Sequence, residues 1–320
     1  MQTKIREAAL KLGYIDAQPV TGQPFDVWRN RLSAIPLGQH LSFSHDPAQA
    51  SGRPLEEITL WVAIAPTPPM ADWPMGCGEI GAFYMHSRLY DMRYAAWEEA
   101  VTSMGYEVIH GIALPVRAAA IRAGLGVHGL NGLLIAPQYG SFVDISVLLI
   151  HAAPPTDARG SEHDMSPGCG NCGECIKACP TGAISEDGVN SLICLRHYIT
   201  HPELMPENDY PKMERRIQGC DTCQQACPHN AALVKQHPPA DFCACMKLEN
   251  LLTKPDMDCI SKYMSPGYMR ENRVKTQAVL AAANGKRKDL LPLIEALVGS
   301  EDDMLDQMAR WSVKHLRAGM

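Results

Sequence analysis

Two cysteine arrays constrain this chain more than any other feature. The first reads Cys169-x2-Cys172-x2-Cys175-x3-Cys179-Pro180, the second Cys220-x2-Cys223-x3-Cys227-Pro228, and Cys194 lies between them. Sulfurs two residues apart on a tight loop point into one concavity and converge on a single cubane. The cysteine before proline is carried by the helix that follows and ligates the other cluster. Two [4Fe–4S] sets are therefore expected: Cys169, Cys172, Cys175 and Cys227 for cluster I, and Cys179, Cys194, Cys220 and Cys223 for cluster II. Cys194 replaces the first cysteine that the second array lacks. A pair of structural zinc sites is the competing reading, but zinc knuckles rarely carry a triple run with Cys-Pro closing both arrays. Gly168, Gly170, Gly173 and Gly219 let backbone N–H groups approach the sulfurs and tune their potential.

Twelve cysteines would mean a disulfide scaffold in a short secreted protein. In 320 residues without a secretory pattern they point to metal. The opening MQTKIREAALKLG reads as an amphipathic helix, with Ile5, Ala8, Ala9 and Leu12 on one face, and it lacks a signal's apolar stretch. The most apolar segment, Leu133 to Ile150, is interrupted by Pro137, Gly140, Ser141 and Asp144, so no membrane span is expected and a cytoplasmic location is. A net charge of −6 argues against a protein whose main business is holding nucleic acid, tRNA included. Among the other cysteines, Cys77 and Cys259 are expected to be free, partly buried thiols. Cys243 and Cys245 form a C-x-C pair that does not complete a metal site alone.

Three parts are expected: an α/β domain over 1–160, a bacterial ferredoxin-type two-[4Fe–4S] module over 161–248, and a short α-helical tail over 249–320. In the first part, Ile58 to Ala65 is a run of strand formers ended by prolines. Tyr94 to Ser103 has helical period, Tyr106 to Ile109 reads as a strand, and Pro115 to Ala123 as a helix stopped by Gly124 and Gly126. Leu133 to Ala136 and Phe142 to Ile150 read as strands paired around a turn at Pro137-Gln138-Tyr139-Gly140. Apolar residues recur at helical spacing over 274–282, 290–298 and 305–316, a HEAT-like tail.

The order of parts resembles that of the epoxyqueuosine reductases and, more distantly, the reductive dehalogenases. The residues that carry this are PVRAAAIRAGLGVHGLNGLLIA (115–136), Tyr139-Gly140-Ser141 with its strand, Gly182-Ala183-Ile184, Cys194-Leu195-Arg196, and Arg216-Ile217-Gln218-Gly219-Cys220-Asp221-Thr222-Cys223-Gln224. The resemblance implies a corrinoid-reductase-like α/β domain that binds cobalamin without a protein ligand from a D-x-H-x-x-G motif, which the chain lacks. It places His110, within Val108-Ile109-His110-Gly111, where the family carries its proton-donating aspartate. Leu130, in Gly129-Leu130-Asn131, stands where the family has lysine. Both departures mark a divergent paralogue. Arg117, Arg122, His128, Gly129, Asn131 and Ser141 are the expected corrinoid contacts, and Tyr84, Arg88 and Tyr90 are expected to line the pocket.

The resulting expectation is a reductase in which an external low-potential donor of the ferredoxin or flavodoxin type feeds the clusters, the clusters feed cobalamin, and His110 supplies a proton. A second expectation is an electron-transfer protein that reduces a corrinoid or metal centre on a partner protein.

Overall fold

A computed structural model describes residues 2–33, 44–160 and 168–318. The expected boundary at 161 lies outside them. The first part is built on a four-stranded sheet in the order Asp16–Thr21, Ile58–Pro66, Val143–His151, Glu107–Val108, each neighbouring pair antiparallel. Ile58–Pro66 is central and covered on both faces, which explains an unbroken apolar run in place of alternation. Strand side chains alternate faces. Leu60, Val62, Ile64, Val147 and Leu149 meet the helix Val116–Arg122 on one side. Trp61, Ala63, Leu148 and Ile150 meet helices Gln2–Lys11 and Ser87–Ser103 on the other.

Three local expectations need correction. The helix read from Tyr94 begins at Ser87. The strand read over Tyr106 to Ile109 keeps only Glu107–Val108, at the sheet edge. The two segments around Pro137–Gly140 pair only at the turn, where Ala136 and Gly140 exchange backbone hydrogen bonds of 2.8 and 2.9 Å; beyond it Leu134–Ile135 pairs with Val127–His128, and Val143–His151 pairs into the main sheet. The turn is also held from outside. Gly140 adopts φ +55° directly against the Asn230 side chain of the cluster module, where a Cβ would collide.

The second core does not respect the boundaries at 160 and 248. Met70, Trp73, Ile80 and Tyr84 from the first part pack with Leu195, Tyr210, Ile217 and Phe242 of the cysteine-rich module and with Val274 and Leu305 beyond it. A two-stranded parallel pairing of Glu79–Ile80 with Arg216–Gln218 stitches the parts together. The tail carries the expected helices as Glu271–Asn284, Leu291–Glu295 and Asp303–Ala318. Among the described residues no helix is long and apolar enough to cross a membrane.

Cys259 is not a free thiol: it forms a disulfide with Cys245. That tie separates Cys245 from Cys243, which stays reduced beside the buried Cys77, whose Sγ donates to the Cys243 carbonyl at 3.3 Å. A 14-residue separation makes the bridge worth about 3 kcal/mol in chain entropy.

Candidate iron–sulfur centre

Left-handed backbone curls the first array into a cup. Gly170, Asn171 and Gly173 all have positive φ, and the short helix Glu174–Ala178 then carries Cys175 inward. Cys194 ends a 3-10 turn and opens the helix Leu195–Thr200. Gly219 precedes Cys220 at φ +83°, and a Cβ there would lie 2.6 Å from the Tyr84 ring, so only glycine lets the second array seat against that tyrosine.

The array thiols lie close enough to raise one another's pKa. Burial raises the pKa of Cys227, and Cys172 and Cys169 raise it further. Burial first, then Cys169 and Cys172, does the same to Cys175. In the other set, burial and then Cys220 and Cys179 raise Cys194, while burial followed by Cys220 and Cys194 raises Cys223 well above the ordinary thiol range. Crowded, desolvated thiols of this kind become thiolates only against a cation held among them.

Sulfur spacing separates cubane from zinc. Tetrahedral Zn–S bonds bring sulfurs to about 3.8 Å of one another. Among the described residues, the only His, Cys, Asp or Glu group whose donor atoms all lie within 4.8 Å of one another is Cys245, Asp256 and Cys259. No three of the eight array sulfurs meet that condition. Backbone N–H groups point at them: Leu130 N donates to Cys169 Sγ at 3.4 Å and Ala183 N to Cys179 Sγ at 3.3 Å.

The expected corrinoid contacts scatter. Gly129 and Asn131 line the cavity between Cys169, Cys172, Cys175 and Cys227. Ser141 is bound to the cluster module, its N–H donating to Asn230 Oδ1 at 2.8 Å and its hydroxyl to Gln224 Oε1 at 3.1 Å. Arg122 is a correction. It is 1% exposed, donates to the carbonyls of Gln23 (2.6 Å) and Pro24 (2.7 Å), and stacks on Phe25 at 3.7 Å. Its guanidinium is committed to holding the chain after the first strand.

Arg117 and His128 face the cluster side. Arg117 is exposed by surface area, though the protein atoms packed near it lower its pKa, Arg196 lowers it further, and Tyr84, Cys223 and Cys194 oppose. His128 is lowered to about 4 by burial, then by Arg31 and Arg117, so it is neutral at pH 7. Its buried Nδ1 has no partner among the described residues. His110 lies apart, 62% exposed, with Nε2 3.4 Å from Glu98. Tyr84 accepts from Arg196 Nε at 2.7 Å and packs edge-on to Tyr268. Tyr90 donates to Thr67 Oγ1 in the core, and Arg88 is exposed.

Sequence reasoning missed three residues. Arg196, two positions after Cys194, borders cluster II. Asp221, between Cys220 and Cys223, is half-buried, desolvation raises its pKa, and it accepts from Ala82 N at 2.7 Å. Asp144 is 6% exposed, and burial pushes its pKa up to about 6, partly offset by Arg93. A folded-state value above the ordinary 3.8 favours the protonated acid in the fold. Stability is then lost as pH rises from 3.8 towards 6 and stays lost above it. Asp144→Asn is expected to raise stability at pH 7 by roughly 2–3 kcal/mol with little effect at pH 4, as read from urea midpoints at both values.

Residues 168–230 match the 4Fe-4S double cluster binding domain family. Over 209 residues the chain is 31% identical to the epoxyqueuosine reductase of Lactococcus garvieae, a match covering 62% of this chain and 58% of that protein. The chain spans about half the length of the curated relatives it matches. Its fold is similar to the solved epoxyqueuosine reductase of Streptococcus thermophilus (TM-score 0.82, 20% identity, 99% of this chain and 90% of that one). It is also similar to an epoxyqueuosine reductase solved with a tRNA-Tyr epoxyqueuosine-modified tRNA stem loop (TM-score 0.77, 22% identity, 98% and 90%). In sequence and in fold the chain is thus a relative of the epoxyqueuosine reductases, with the cysteine-rich segment of a double-cluster iron–sulfur protein.

Proposed function

We propose that this chain is an iron–sulfur reductase of the epoxyqueuosine reductase type, a divergent paralogue whose clusters deliver electrons to a corrinoid. One observation carries the reading: Cys194 and Cys223 of cluster II share their surroundings with Arg117 of the α/β domain, so the cluster faces the domain that would hold an acceptor. Arg117, and His128 with its unpartnered buried Nδ1, are donors suited to the amide and phosphate groups of a corrinoid. When bound, the corrinoid supplies the strongly reducing centre, and the protein supplies alignment and electrostatics. Arg117 would orient the group and the neutral His128 would donate or accept one hydrogen bond, beside the edge-on pair Tyr84 and Tyr268.

His110 is proposed as the proton donor. Histidine is a residue type that serves as a general acid, and Glu98 lies 3.4 Å from His110 Nε2, where it can orient the ring. His110→Ala is expected to lower turnover by about 100-fold or more while iron and cobalt loading stay unchanged. Unchanged turnover at equal loading removes His110 from the reaction.

A tRNA-borne substrate, disfavoured by net charge, is supported by the relative solved with a tRNA stem loop and by a groove along the last helix lined by Arg310, Lys314 and Arg317. Arg310 and Arg317 are tied to Asp306 and Glu295, which moderates that charge.

The test of the corrinoid is direct. Protein purified without oxygen, offered cobalamin and freed of excess is expected to retain about one cobalt per chain alongside its clusters. Clusters without cobalt, together with rapid reduction of a separate corrinoid protein, replace the reading with an electron-transfer role.

A further inference from the structure

We propose that Cys245, Cys259 and Asp256 form a zinc site that opens when the Cys245–Cys259 disulfide is reduced and closes when it re-forms. These residues lie outside both cysteine arrays, and the site needs neither the clusters nor a corrinoid.

Two helices bring the ligands together. Cys245 ends the helix Ala240–Cys245 and Cys259 lies in the helix Met257–Ser261, their Cα atoms 6.5 Å apart. Asp256 caps the second helix, its Oδ1 accepting from Cys259 N at 2.9 Å, so the carboxylate stands beside that cysteine. The two sulfurs and a carboxylate oxygen all lie within 4.8 Å of one another. Asp256 is exposed and makes no ion pair among the described residues.

Two soft thiolates with one carboxylate suit zinc and discriminate against magnesium and calcium. Three protein ligands leave the fourth position to an oxygen. Water can fill it, or the Asp241 carbonyl, which lies 3.1 Å from Cys245 Sγ and 3.9 Å from Cys259 Sγ. Cys259 is buried and Cys245 half-buried, so the ion enters from the exposed Asp256 side.

Other contacts hold the two helices once the disulfide opens. The rings of Phe242 and Tyr263 pack 4.8 Å apart, and the Tyr263 hydroxyl donates to the Asp241 carboxylate at 2.8 Å. The sulfurs then need only part from about 2 Å to about 3.8 Å, a side-chain rotation. Cys243 takes no part, its Sγ lying 3.8 Å from the Pro238 carbonyl.

Where thiols are kept reduced, this pair is a dithiol. Opening is a two-electron step: a dithiol carrier gives up two electrons and two protons and becomes a disulfide, while the Cys245–Cys259 bond breaks to two thiols. Zinc then binds both thiolates and displaces their protons. In closing, a low-molecular-mass disulfide takes two electrons from the thiolates and two protons from solvent to become two thiols. The Cys245–Cys259 bond re-forms, neither sulfur is left to bind, and the ion is released.

The test titrates the full chain, with its iron in place, anaerobically with Zn2+ before and after treatment with a phosphine. Reduced wild type is expected to bind about one zinc more than the oxidised form, with iron unchanged at about eight per chain. X-ray absorption at the zinc edge should show two sulfurs at about 2.3 Å and oxygens at about 2.0 Å. Asp256→Asn keeps the helix cap but removes the charged ligand, and should weaken binding by roughly tenfold or more. Cys259→Ser should abolish the redox-dependent zinc, and Cys243→Ser should leave it intact. Three outcomes each overturn the proposal: reduced wild type taking no more zinc than oxidised, zinc carrying three or four sulfurs as iron falls, or Asp256→Asn binding as tightly as wild type.

Discussion

Replacing Cys194 by alanine is expected to remove the [4Fe–4S] signal of cluster II, leave that of cluster I, and take iron from about eight toward about four per chain. Cys194 belongs to neither array, and a reading of local motifs alone would leave it out. It is needed because the second array offers only Cys220 and Cys223 besides the distal Cys179, and a cubane held by three thiolates has an open iron. Cys194 is the proposed fourth: burial raises its thiol's pKa, and Cys220 and Cys179 raise it further. The helix Leu195–Thr200 holds it there through the buried Leu195, Tyr198 and Ile199. Cys77→Ala is the control, since Cys77 lies against the Cys243 carbonyl and should leave iron unchanged. Full iron and both signals in the Cys194 variant would remove it from the ligand set.

The second large effect is on stability. Arg122→Met keeps side-chain volume but deletes a guanidinium that donates to two backbone carbonyls and lies over the Phe25 ring. Those carbonyls, at Gln23 and Pro24, sit where the chain leaves the first strand and have no ladder to join. Charge-assisted bonds to a buried acceptor are worth about 1.5–3 kcal/mol each, and a desolvated cation–π contact adds about 2. Allowing for relaxation, the variant is expected to lose about 3–5 kcal/mol in urea unfolding, with cluster content of the folded protein unchanged. A loss under about 1 kcal/mol, or a selective loss of cofactor binding, would return Arg122 to the site.

Arg117 and Arg122 show why the sequence separated the cluster ligands better than the pocket. Ligation by closely spaced thiols is a local property, legible in a string of cysteines. The two arginines lie five residues apart on one short helix, about 140° around its axis. One faces the clusters and the other the core, and nothing in the string says which face meets the sheet. The disulfide has the same origin. Cys245 and Cys259 meet because helices Ala240–Cys245 and Met257–Ser261 fold back on each other, a tertiary fact that spacing does not carry. The central strand was legible because both its faces are covered, so its apolar run needed no partner to be recognised. The expected hairpin around Gly140 stops at the turn because its two strands take other partners, Val127–His128 and Ile58–Pro66, and Asn230, ninety residues on, packs against the turn.

The central claim is that eight thiolates hold two cubanes in a four-and-four division. Iron, acid-labile sulfide and zinc per chain, measured on protein purified and kept without oxygen, test it most directly. About eight irons and about eight sulfides with negligible zinc are predicted. About two zincs with no sulfide would contradict it.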